Sequence, residues 1–146
     1  MGVLRLAVLL REAGVRRSAA RLAAGVADFC RGTPLGRWEA EAQRIQGALA
    51  SEAGDFTESD RSFRKASAIF EAQGLRLEGL ELQVEVGWEA YRRENYPLAL
   101  AIAREGIEAA RSLGAQDLLE DFLFLLGAVE SALSNRSKNF LRALEI

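Results

Sequence analysis

The chain has 146 residues, enough for one domain of ordinary size, roughly 100–200 residues, and its 49% apolar and 27% charged residues are those of a folded globular protein. A net charge of −2 gives no overall attraction to nucleic acid or an anionic membrane, so neither is expected as a partner. The sequence holds no histidine, which removes the commonest general base and the commonest metal ligand.

In chain order, the opening MGVLRLAVLL has an apolar run interrupted by Arg5 and followed by Arg11, Glu12 and Gly14, with no small-residue cleavage site; a secretory signal is not expected. Leu6 stands where a myristoylation signal needs Ser or Thr. No stretch approaches the ~18 apolar residues that span a bilayer. Cys30 is the sole cysteine and can form no internal disulfide. A cytoplasmic location is the expectation.

Ala, Leu, Glu and Arg dominate, all good helix formers, and apolar residues recur at three- and four-residue steps, as at Phe63, Ala66, Ile69 and Phe70. The spacing predicts first helices over about 2–13, 35–53, 76–94 and 116–133, and second helices over about 16–31, 57–73, 97–113 and 137–146, the last cut short. Gly32-Thr33-Pro34, Gly74 and Gly114 are the expected stops, since glycine readily takes the left-handed conformation that ends a helix. Thr57 with Asp60 has a capping-box pattern, and Asn95 before Tyr96-Pro97 reads as a helix start with Pro in its first turn.

Laid against itself, the chain repeats every 40 residues. Gly47, Gly87 and Gly127 share this spacing, with Ala7 on the same lattice. So do Gly14 and Gly54; Phe56 and Tyr96; Ala19, Ser59 and Ala99; and Ala23, Phe63, Ala103 and Ala143. Blocks 41–80 and 81–120 agree at about six positions, where composition alone gives roughly three. The matches fall on small residues, turns and aromatics, the positions where two closely packed helices restrict the choice. The unit is a helical hairpin that cannot bury its own apolar stripe and must stack on its neighbours. The expected architecture is therefore all-α, a single domain over 1–146, with hairpins at about 2–31, 35–73, 76–113 and 116–146 and seven to eight antiparallel helices.

Gly47, then Gly54-Asp55-Phe56, then Ser59, Phe63 and Ala66 resemble the tetratricopeptide repeat. Gly87, Glu94-Asn95-Tyr96, Ala99, Ala103 and Gly106 repeat the pattern, while the first and last blocks keep less of it. The period of 40 departs from the usual ~34 residues and is similar to the long-helix arrays of bacterial regulatory proteins and cargo-adaptor light chains. The resemblance implies a right-handed superhelical α-solenoid whose first helices line a concave, partner-binding surface.

Several chemistries lack their motifs. There is no phosphate-binding Gly-rich loop with Lys-Ser/Thr and no Gly-x-Ser-x-Gly. Cys30 has no His to activate it. Glu78, Glu81 and Glu85, and Glu120 with Asp121, read as solvated or Arg-paired faces rather than metal ligands. Arg11, Arg16, Arg17 and Arg21 form the one basic cluster, without the interleaved aromatics of a nucleic-acid surface. No enzyme activity and no cofactor are expected.

Binding in a groove remains. Carried over from the resemblance, the lining positions are Arg5, Leu6 and Leu9; Glu41, Arg44, Ala48 and Ser51; Glu81, Val84, Glu85, Trp88, Tyr91 and Arg92; and Asp121, Phe124, Leu125 and Ala128. The strongest candidates are Arg44, Glu81, Glu85, Trp88, Tyr91, Arg92 and Phe124. An aromatic pair among charges on one helix face suits a peptide-binding surface, although Trp88 could equally pack in the core and Phe122 competes with Phe124 for it. The expected function is a non-catalytic adaptor that binds a peptide or helix of a partner protein. The alternative is a self-assembling structural module, or a sensor or regulatory piece of a larger bacterial regulator. Residues 1–50 carry eight Arg against four acids (+4), and residues 51–146 carry eleven bases against seventeen acids (−6). With Phe140, Leu141, Leu144 and Ile146 expected to be exposed, that asymmetry allows homo-oligomers through the terminal helices.

Overall fold

The computed structural model describes residues 2–31 and 35–144, with the side chains of Phe140, Leu141, Ala143 and Leu144 left out. Among the described residues there are seven helices: α1 (Gly2–Glu12), α2 (Arg16–Cys30), α3 (Gly36–Glu52), α4 (Phe56–Ala72), α5 (Arg76–Arg92), α6 (Tyr96–Leu113) and α7 (Gln116–Leu144). The fold is all-α: α1 packs on α2, α2 on α3, α3 on α4 and α6 on α7, and α5 shares its buried residues with α6 and α7. Residues up to Gly79 form one compact unit and residues from Leu80 onward a second. The expected stop at Gly32-Thr33-Pro34 and the expected exposure of Phe140, Leu141, Leu144 and Ile146 lie outside the described residues and side chains.

The turns repeat with the sequence. At Leu10–Val15, Ala50–Asp55 and Ala90–Asn95 the later residue's N–H donates to the earlier carbonyl at 2.8–2.9 Å, and Phe70–Leu75 and Ala110–Ala115 do the same at 2.9 and 3.0 Å. These are the six-to-one bonds that close a helix C-terminus. Each needs a left-handed residue just before the donor. Gly14, Gly54, Gly74 and Gly114 supply it with φ of +78°, +80°, +67° and +65°, and Glu94 adopts φ +57° without being glycine.

The cap of α4 lies two residues earlier than the Thr57 pattern predicts. Once Gly54 has turned the chain, Asp55 occupies the cap and its Oδ1 accepts from the Glu58 N–H at 3.1 Å, satisfying one of the helix's orphan donors. Asn95 caps α6 in the same way through the Leu98 N–H at 3.4 Å, with Pro97 in the first turn as expected. Asp55→Ala should therefore cost about 1 kcal/mol, read as a lowered midpoint in urea.

In the first unit, Leu4, Ala7, Ala19, Ala23, Ala27, Ala42, Ile45 and Leu49 make a core of α1, α2 and α3. Small residues at four-residue steps on α2 let its neighbours approach closely. Between α3 and α4 the device is a glycine opposite an aromatic: a Cβ on Gly47 would lie 2.8 Å from the buried Phe63 ring. In the second unit α5, α6 and α7 close around Ile102, Ile107, Ala110 and Phe122 at one level, and around Ala90, Ala99, Ala103, Leu125 and Val129 at another. The lattice rows Ala19, Ser59, Ala99 and Ala23, Phe63, Ala103 are buried throughout.

The last hairpin is where the structure departs from expectation. α7 runs unbroken for 29 residues, through the break expected between about 133 and 137. Ser134 occupies the lattice place of Gly14, Gly54 and Glu94, yet it stays helical. A left-handed non-glycine residue costs roughly 1–2 kcal/mol, and a turn survives that cost when helices on both sides are packed. Here no described residue after Val129 is buried, so the cheaper course is one more helical hydrogen bond per residue.

Candidate functional site

The C-terminal half of α5, the start of α6 and the middle of α7 bring four aromatic rings into a row. Trp88 meets Tyr91 edge-on, ring centroids 5.5 Å apart at 82°, and meets Phe124 at 5.6 Å and 49°. Tyr91 in turn meets Tyr96 at 5.7 Å and 55°. Such tilted and edge-to-face contacts satisfy the ring quadrupoles. The row ends on a charge: the Arg136 guanidinium lies 5.6 Å over the Tyr96 ring and 3.7 Å from a Glu94 carboxylate oxygen.

The sequence leaves open whether Trp88 and Tyr91 are core or surface, and the structure makes them both. Each is half-buried, with one part packed on the core around Ala90, Ala99, Ala103, Leu125 and Val129. Phe124 extends the row outward at 72% exposure, whereas Phe122, two residues earlier, is fully buried. The row is thus a surface with a fixed base, and its rings have little freedom left to lose when something covers them.

Around it, Arg92 is ion-paired to Glu89 one turn back, Glu81 is exposed and Glu85 is half-buried. Arg44 belongs to the first unit, where it is held against Glu41 at 3.0 Å. Two of the positions carried over as groove lining are corrected: Leu125 and Ala48 are buried. Leu125 is drawn inward because Gly87 leaves a notch that its methyl end fills. Tyr96 and Arg136 were not foreseen as members of the row. Tyr96 reads in sequence only as a turn residue, and Arg136 reaches it only because α7 does not break.

Elsewhere, members of the charged clusters are ion-paired. Arg11 and Arg16 both approach Glu52, at 3.7 and 3.4 Å, and Glu78 faces Arg37 at 3.3 Å. Among the described residues, no three His, Cys, Asp or Glu side chains come together to hold a metal ion. None of the described helices is long and apolar enough to cross a membrane. Cys30 is buried at the end of α2.

The chain is thus an all-α protein with seven helices among the described residues and a half-buried aromatic surface on its second unit. No family model, no curated protein and no solved structure matches it significantly.

Proposed function

We propose that this chain is a tetratricopeptide-type helical-hairpin module, cytoplasmic and non-catalytic, that holds a segment of a partner protein against the surface built from Trp88, Tyr91 and Phe124. The repeated turn bonds, the glycine-against-aromatic contact of Gly47 and the buried lattice rows support the repeat. The observation that carries the binding role is the aromatic row itself. Partly exposed aromatic rings anchored on a packed base are what interface hot spots are made of, because they bury large area with little loss of side-chain entropy. Glu81, Glu85 and Arg92 border them and set the register of the bound segment through charged hydrogen bonds.

The test is affinity capture with the wild-type chain and a Trp88→Ala/Tyr91→Ala variant shown to be folded by circular dichroism. A synthetic peptide from the captured protein is then titrated. Saturable one-to-one binding that the variant weakens at least about thirtyfold, roughly 2 kcal/mol, supports the reading. Equal affinity of the two chains for every captured partner refutes it.

A further inference from the structure

The outer face of α7 carries a self-complementary pattern. Glu120, Phe124, Gly127, Ser131, Asn135, Lys138 and Arg142 follow one another at steps of 4, 3, 4, 4, 3 and 4 residues, which reads the same in both directions about Ser131. At 100° per residue these positions share one helix face. That face lies opposite the inward side chains of Phe122, Leu125 and Val129, and all seven residues are exposed. Charge is polarised along it: residues 116–131 hold four acids and no base, and residues 132–144 hold three bases and no acid. The helix dipole favours that polarity only in the end turns, so it gives no reason for Glu120, Asp121 or Lys138.

We infer that two copies of this chain pair antiparallel along α7, with the two-fold axis at Ser131. Residue numbers that face each other then sum to 262: Glu120 meets Arg142 of the second copy (120 + 142), Phe124 meets Lys138 (124 + 138), and Gly127 meets Asn135 (127 + 135). The contact is isologous, the usual geometry of a symmetric dimer. Its centre is built for close approach. A Cβ on Gly127 would meet no atom within 4 Å, whereas the lattice glycines Gly47 and Gly87 are each filled by a neighbour. Gly127 and Ser131 thus form an open notch on this face. On either side Phe124, 72% exposed, would be covered by the aliphatic stem of Lys138, whose ammonium group lies toward Asp121. From Glu120 to Arg142 the seam spans 22 residues, about 33 Å of helix. The inference does not rest on the peptide-binding reading: Trp88 and Tyr91 take no part in the seam, and Phe124, which touches Trp88, is the one residue the two surfaces share.

Sedimentation velocity of the full chain over a range of concentrations tests it. Wild type should form a dimer that weakens as salt rises. Lys138→Glu/Arg142→Glu reverses one end of the seam and Glu120→Lys/Asp121→Lys the other. Each variant alone should dimerise at least about tenfold more weakly while keeping its helical circular dichroism. Mixed in equal amounts, the two should recover a one-to-one dimer, because each reversed end then faces its complement. A wild type that stays monomeric, a dimer that survives in both variants, or folded variants that fail to recover on mixing would each overturn the inference.

Discussion

Phe122→Ala should lower the unfolding free energy by about 3–5 kcal/mol, the usual cost of emptying a core aromatic site. Phe122 is 0% exposed and packs where α6 and α7 meet, among Ile102, Ile107 and Ala110. Nothing nearby can collapse into the space at low cost, because the facing position is Gly106, held by the helix backbone. Phe124→Ala removes the same ring two residues away and should change stability by less than about 0.5 kcal/mol, since that ring is 72% exposed and only its Trp88 contact is lost. Urea unfolding of the two variants side by side checks both values. A large loss at Phe124 would show that the aromatic row is a structural element rather than a surface.

Gly106→Ala should destabilise the chain even though Ala is the better helix former by about 1 kcal/mol. The added methyl would fall inside the Phe122 ring, which is enclosed and cannot withdraw. Overpacking of this kind costs about 1–3 kcal/mol. Gly25→Ala is the matched control: a Cβ there meets nothing within 4 Å on an exposed face of α2, so this variant should gain about 0.5–1 kcal/mol. Opposite signs for the same substitution in two helices would locate the effect in packing between helices. Equal signs would mean that α6 and α7 are further apart than described.

Much of this is written in local sequence. Glycines at 14, 54, 74 and 114 end helices where they stand, because a left-handed residue is cheap only without a Cβ. Asn95 caps α6, and the 40-residue lattice marks which small residues face a neighbouring helix. These features depend on a few adjacent residues or on a periodicity, so a reader of the sequence can find them. Glu94 is legible only by comparison: alone it gives no sign of a turn, but its place on the lattice of Gly14 and Gly54 does.

The candidate site was half legible. Trp88, Tyr91 and Phe124 stand out as aromatics among charges, and Phe122 as the inward rival. Their meeting was not legible, nor was the inward turn of Leu125, since both depend on how α5 and α7 pack. Tyr96 and Arg136 joined the row for the same reason.

The sequence by itself determined the first six helices and the first three hairpin turns, because these follow from backbone sterics and a 3.6-residue period. Only the tertiary structure decided that α7 continues through Ser134, which aromatic rings touch, and which glycines are filled. A turn without glycine persists only when packed helices on both sides offset its strain, and beyond Val129 no described residue is buried to do so.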